Sequence, residues 1–433
     1  MAVTENSDRL VSLDVFRGIT IAGMTLVNNP GTWSSIYGPL KHAEWHGITP
    51  TDYIFPFFLF IVGVAIPIAF AKRTADGVPK DLYSKIFSRG LKIFLLGIVI
   101  YAIPFFNFGE TEAPQIVKLL ITTAFTAALY LYLIEKHLYA AIALGVAVLG
   151  IVGFYIAGST VVWQELSTLR IPGVLQRIAI CYVAVSVIFL NTRWTQQLGI
   201  GIFLLLGYWL VMTVVPVPGC DITTIDDKAC NFAAYLDRTI LTPDHLWNLG
   251  KVYDPEGILS TVPAIVTTLC GALAGKWLIS DRSREETAAG LFFGGAILLA
   301  VGWSWSLVFP LNKALWTSSF VLYTAGIALL TLGFCYWLID VKRMSWWTKP
   351  FVIFGVNALA LYAFSGILSN VLGMVSVADA KGGSTSLQEW IFTNLFLSWA
   401  DPVNASLAYG LSYVAFWLLM MWLLFRKKVF IKV

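Results

Sequence analysis

Residues 39–58, PLKHAEWHGITPTDYIFPFF, set His42 and His46 beside Lys41, Glu44 and Asp52. These two are half of the chain's four histidines, and the stretch lies between two strongly apolar runs. Three chemistries fit such a group. Histidines four apart share one face if the piece is helical, and with Glu44 or Asp52 they could take a metal. The order H-x-E-x-H is not the H-E-x-x-H zinc pattern, however, and only His137 and His245 remain elsewhere. A structural reading makes both histidines hydrogen-bonding groups at a wet interface. The third reading is a general base or nucleophile: an imidazole that titrates near neutrality, oriented by a carboxylate where water is scarce. That arrangement suits group transfer to an amine or hydroxyl, in which a proton leaves as the new bond forms.

The elements that must position these residues are membrane helices. The 433 residues are 58% hydrophobic and 12% charged, with a mean hydropathy of +0.76. A soluble domain carries roughly 25% charged residues, so a large soluble all-α protein is excluded. Hydropathy predicts about twelve spans, near 10–29, 53–71, 90–106, 116–134, 138–157, 172–190, 198–216, 258–279, 288–308, 315–339, 350–372 and 405–425. With the N-terminus in the cytoplasm, most of the 29 Lys and Arg fall inside, including AKRTADGVPKDLYSKIFSRGLK, DVKRMSWWTK and the tail RKKVFIKV. An even number of spans returns the C-terminus to the same side. The positive charge follows topology and gives no reason to expect a nucleic-acid partner.

The expected fold class is therefore an all-α polytopic membrane bundle, a single domain over 1–433. The N-terminal MAVTENSDR has no basic n-region, so no cleaved signal peptide is expected. Two long loops, 217–257 and 373–404, are expected outside, where their aromatic and polar residues suit lids. A disulfide between Cys220 and Cys230 is expected if the first loop is periplasmic. No internal repeat is apparent, which weighs against inverted-repeat transporter folds.

Polar residues inside or beside the spans mark a candidate cavity. Asp14 and Arg17 are three apart and could pair, or Arg17 could snorkel. Arg177, beside Gln176 and more than a turn into the helix that Pro172 opens, needs an anionic partner or a water-filled cavity. Asp254 and Glu256 in YDPEGILSTVPAI, Asn312 and Lys313 in FPLNKALWTSS, and Asn357 in FGVNALALY could each serve as helix-end or interhelical hydrogen-bonding groups. Together they suggest a polar site, with Glu44, His46, Asp254, Glu256, Asn312 and Asn357 as candidates to contact an acceptor.

RLVSLDVFRGITIAGMTLVNN, LKHAEWHGITPTDYIFPFFLFIVG, RIPGVLQRIAICY, DPEGILSTVPAIVTTLCG, PLNKALWTSSFVLYTAG and FGVNALALY, in this order, resemble the heparan-α-glucosaminide N-acetyltransferase family, in particular its bacterial members. The resemblance implies a transmembrane acetyltransferase with acetyl-CoA used from the cytoplasmic side and an amino-sugar acceptor on the far side. It implies no metal. His42 matches the catalytic histidine of the family's K-H-A-x-W-x-G motif, Asn28 its asparagine and Asp52 its aspartate. His46 stands where the lysosomal relative has another residue. An additional lumenal N-terminal domain of that relative is missing here, so heparan sulfate itself is not the expected acceptor. Segments 116–157 look like a two-helix insertion. Coenzyme A phosphates call for Arg and Lys, which makes Arg17, Arg89, Arg177 and Lys313 the donor-binding candidates. Expected partners are acetyl-CoA, the amino sugar, membrane lipid and, as one option, a second copy in a homodimer. A proton-coupled amino-sugar transporter using Arg177, His42 and Asp52 is the alternative from another class.

Overall fold

A computed structural model describes residues 10–247, 249–379 and 382–431. The polar N-terminal stretch 1–9 and the last two tail residues lie outside the described residues. The described residues form fifteen α-helices: α1 (Val11–Val27), α2 (Ile54–Ala71), α3 (Lys80–Ala102), α4 (Gln115–Leu133), α5 (His137–Ile156), α6 (Val174–Asn191), α7 (Trp194–Val214), α8 (Phe232–Leu241), α9 (Thr261–Leu278), α10 (Arg284–Ser306), α11 (Ser318–Tyr336), α12 (Lys349–Val356), α13 (Ala358–Met374), α14 (Leu387–Ile391) and α15 (Pro402–Arg426). One antiparallel hairpin, β1 (Ser376–Ala378) and β2 (Ser384–Ser386), pairs Val377 with Thr385. Each segment read from hydropathy falls on a helix except 350–372, which is split between α12 and α13 by a 79° bend.

Among the described residues, nine helices are long and apolar enough to cross a membrane, and α12 with α13 makes a tenth if taken as one broken span. The remaining two segments differ for local reasons. α1 has only 17 residues, because Pro30-Gly31 follows its end. α3 carries Lys80, Asp81, Lys85, Arg89 and Lys92 along its first turns.

The chain divides into two compact units. The first holds residues 39–95 and 170–355 with the start of α1. Its frame is two tight helix pairs. A Cβ on Gly63 of α2 would come within 1.9 Å of the Thr268 carbonyl oxygen of α9, and one on Gly271 within 2.0 Å of that of Phe60. Only glycine permits this backbone approach, the small-residue packing that replaces the hydrophobic effect between membrane helices. Overpacking such a contact costs about 1–3 kcal/mol. α10 and α11 meet in the same way, with Gly302 against the Tyr323 backbone and Gly326 against that of Leu299. The first pair carries the turn before α2 and the loop before α9. The second carries the 307–317 connection. These are the segments that bear the candidate site.

The second unit holds residues 25–38, 96–169 and 356–433. There the α4–α5 hairpin packs Phe106, Phe125, Ile151 and Phe154 together with Val375. It turns Leu120, Leu138, Leu149 and Ile156 outward, as a lipid-facing surface should. Asn28 lies here, exposed, one residue past α1. Asn357 is fully committed to structure, donating to the Val429 carbonyl (3.1 Å) and accepting from the Ile431 amide (2.9 Å).

Candidate active site

Local sequence sets the position of Asp52. Thr49 precedes a short 3₁₀ turn, Pro50–Tyr53, which runs straight into α2. Proline suits the first position of such a turn, and Asp52 sits at the third, where a carboxylate meets free amides and the positive end of the helix. The two carboxylate oxygens divide their work. Oδ2 accepts from the Ala43 amide (3.1 Å), the Thr49 amide (3.0 Å) and the Thr49 hydroxyl (3.0 Å). Oδ1 faces Nδ1 of His42 at 2.7 Å. Asp52 is 1% exposed at its side chain and His42 47%. The buried carboxylate thus takes the Nδ1 proton of a half-exposed imidazole and leaves Nε2 as the ring atom with a lone pair.

The stretch around them is not helical. Residues 41–49 form bends, because Pro39, Gly47 and Pro50 break any regular run. Gly47 sits at φ +103°, a conformation that favours glycine, and its amide donates to the Leu311 carbonyl at 2.8 Å. The shared helical face expected for His42 and His46 is replaced by opposite bonding. His46 Nε2 meets Asp226 Oδ1 at 2.9 Å, and its Nδ1 meets the Asn312 side-chain nitrogen at 3.3 Å. Among the described residues, no group of three or more His, Cys, Asp or Glu converges as a metal site would require. Glu44 is exposed and makes no hydrogen bond or ion pair among the described residues.

Lys313 completes the group. Its ammonium nitrogen lies 3.0 Å and 3.3 Å from the two ring nitrogens of His42 and 3.6 Å from Asp52 Oδ1. Three hydrogen bonds brace the connection that projects it. Asn312 accepts from the Leu315 amide, Thr317 donates to the Pro310 carbonyl, and Tyr208 donates to the Leu315 carbonyl. Burial lowers the Lys313 pKa, opposed by Asp52 and Glu256; 22% of the side chain still meets solvent, so the desolvation is incomplete.

Asp254 and Glu256 form an acidic turn clamped by Arg170. The Arg170 guanidinium grips Asp254 with two bonds, 2.9 Å from Nε and 2.6 Å from Nη2, and also reaches Glu256. Desolvation works to raise the Glu256 pKa, but Arg170, Arg177 and Lys313 outweigh it and hold the carboxyl below its ordinary value. Arg177 is 1% exposed. No carboxylate contacts it among the described residues; it donates to the Gly257 carbonyl and to Ser260 and lies over the Trp316 ring at 5.1 Å. Its Nε and Nη1, and the whole Gln176 amide, are buried without hydrogen-bond partners, which suits a small water-filled space.

The structure therefore brings His42, Asp52, Lys313, Asn312 and His46 into one cluster. Asp254 and Glu256 sit on a neighbouring turn that acts on Lys313 through charge. Arg17 pairs with Asp14 at 3.1 Å, and exposed Arg89 lies over the Tyr182 ring at 5.2 Å. Three residues were not singled out from sequence: Arg170, Asp226 and Asp237. Arg170 was the readable one, an arginine just before Ile171-Pro172 with the DPE carboxylates as candidate partners. Buried Asp237 accepts from the Ile258 amide at 2.8 Å, and desolvation, reinforced by Asp254, pushes it up to about 7. Cys220 and Cys230 are joined, with their Cα atoms 5.8 Å apart.

The family model described as heparan-alpha-glucosaminide N-acetyltransferase, catalytic, matches residues 9–172, which include His42, Asp52, Asn28 and Arg170; Lys313, Asp254 and Glu256 lie beyond it. The Homo sapiens heparan-alpha-glucosaminide N-acetyltransferase is 28% identical over 364 residues, covering 72% of this chain and 46% of its own. The Mus musculus protein of that name is 25% identical over 370 residues, 73% of this chain and 47% of its own. The chain spans about half the length of the curated relatives it matches. By these matches the chain is similar to the heparan-alpha-glucosaminide N-acetyltransferases, with the catalytic family model confined to residues 9–172.

Proposed function

We propose that this protein is a membrane acetyltransferase that moves the acetyl group of acetyl-CoA to the amine of an amino sugar. The observation that carries the reading is the His42–Asp52 pair with Lys313 against it. The acceptor amine attacks the thioester carbonyl and forms the C–N bond. Its proton passes to Nε2 of His42, the C–S bond breaks, and coenzyme A leaves with that proton as the thiol. In the carrier form of the mechanism Nε2 bonds to the acetyl carbon as the C–S bond breaks and coenzyme A leaves as thiolate; the amine then forms the C–N bond as the acetyl–Nε2 bond breaks, and its proton ends on the thiolate. Asp52 holds the ring and balances its charge in either form. The Lys313 ammonium stands where negative charge builds on the carbonyl oxygen. Asn28, which the resemblance offers as a further oxyanion donor, belongs to the second unit.

The side of each substrate follows from charge. Basic residues gather at the cytoplasmic edges, Arg17 and Arg89 among them, and an anionic donor is held there by Arg and Lys. A donor gripped at that edge must extend its uncharged arm between the helices to reach His42, and only the acetyl group crosses. Purified protein in sealed vesicles tests this. Labelled acetyl-CoA on one face should yield N-acetylglucosamine from glucosamine on the other. Glucosamine uptake without any donor, and no acetylated product with it, would replace the enzyme by a transporter.

A further inference from the structure

Both nitrogens of His46 are engaged, and the partners dictate its tautomer. Asn312 Oδ1 accepts from the Leu315 amide at 2.9 Å, so the nitrogen end of that amide faces His46 and must donate. His46 Nδ1 is then an acceptor, and Nε2 carries the proton donated to Asp226. The lone pair of this ring is thus turned to Asn312 and its proton to Asp226.

Its two partners lie on separate segments. Asp226 belongs to the loop closed by the Cys220–Cys230 disulfide. That loop is internally braced: the Thr224 amide donates to the Cys230 carbonyl, the Thr224 hydroxyl to Asp226 Oδ2, and the Asp226 amide to the Thr224 hydroxyl. It grips the 45–46 segment a second time through Trp45, whose indole donates to the Ile225 carbonyl at 2.9 Å. Asn312 belongs to the turn that projects Lys313. A continuous path therefore runs from the disulfide loop through Asp226, His46 and Asn312 to the lysine against His42.

We infer that His46 is a positioning residue: it bridges the disulfide-closed loop and the 312–313 turn, and so sets the place of the Lys313 ammonium against the catalytic imidazole. The inference rests on the acetyl-transfer reading for its effect on rate, but its geometry can be tested apart from that reaction. A reactant or catalytic group misplaced by about 1 Å can cost as much as ~10² in rate.

The experiment compares wild type with His46→Ala and His46→Gln, whose amide can donate at one end and accept at the other. Two readouts are taken: kcat and KM for transfer, and labelling of Lys313 by acetic anhydride, followed by mass spectrometry of its peptide. The alanine change should lower kcat about tenfold with the acetyl-CoA KM unchanged, and raise Lys313 labelling several-fold; glutamine should recover most of both. If the alanine protein does not fold, His46→Leu takes its place. Lys313 labelling that is the same in all variants would overturn the inference whatever the rates. Labelling that changes as expected in a protein with no transferase activity would keep the positioning role and overturn the acetyl-transfer reading instead.

Discussion

Two histidines four residues apart on one irregular segment are put to opposite uses. His42 gives its Nδ1 proton to a buried carboxylate and keeps Nε2 open beside an ammonium. His46 is held the other way round, its Nε2 proton going to an exposed aspartate and its Nδ1 bound by an amide. Residue type says nothing of this difference; the partners do. Asp52 comes ready-made from the turn before α2, ten residues along the chain, whereas Asp226 and Asn312 arrive from 180 and 266 residues away. A base needs a nitrogen lone pair that a substrate proton can reach; on His42 that is Nε2, which faces the Lys313 ammonium at 3.3 Å on a half-exposed ring.

The contrast breaks most sharply at His42. His42→Ala should lower transfer by ~10²–10⁴ if the ring is a base, and by more if it carries the acetyl group, while acetyl-CoA binding persists. Isothermal titration alongside radiolabel transfer reads both, and transfer near the wild-type rate would make the segment structural. Asp52→Asn should cost somewhat less. Three donors surround Oδ2, so the amide oxygen stays there and the NH₂ turns toward His42. That forces the ring into the His46-like tautomer, with the proton on Nε2. A nitrogen-15 spectrum of the labelled imidazole should record the switch.

A smaller effect should appear in the alkaline limb. Burial lowers the Lys313 pKa, against Asp52 and Glu256, so the ammonium loses its proton at a pH below the ordinary lysine range. The transfer rate should decline there, and Lys313→Arg should move the decline upward, since guanidinium does not titrate in this range. An identical limb in the arginine variant would assign it to another group.

The smallest effect concerns stability. Asp237 titrates at about 7 when folded, against a reference of 3.8. Its protonated form therefore favours the fold; that contribution is complete below about pH 4 and is lost as pH rises through 7. The unfolding midpoint should fall between about pH 4 and 7 in the wild type and level off above, and Asp237→Asn should flatten the curve. A variant with the same slope would clear Asp237 of the effect.

Sequence carried the helices well, because long apolar runs in lipid leave the backbone few other choices. It also singled out His42 and Asp52, and Lys313 as a donor-binding candidate, and these three side chains lie together. What it missed depends on distant pairing. The Arg170 clamp on Asp254 spans 84 residues, and Asp226 looks like any other loop aspartate until His46 is placed beside it. Asn357 was read as an acceptor contact, yet its side chain is taken up by the backbone at 429 and 431. The condition on which the two histidines would share a helical face is not met, because Pro39, Gly47 and Pro50 keep the segment irregular.

The glycine contact between α2 and α9 has a mechanical side. Helices that touch backbone to backbone cannot roll, and sliding by one residue means about 1.5 Å of travel, through carbonyls already within 2.0 Å of any added carbon. That pair acts as a fixed jaw, with Asp52 at the mouth of one helix and the acidic turn leading into the other. Entry and release of bulky substrates must then be carried by the segments that rest on the jaw, the 307–317 connection and the 217–257 loop. Substitutions that stiffen those segments should slow turnover, while leaving the spacing between Asp52 and the acidic turn unchanged.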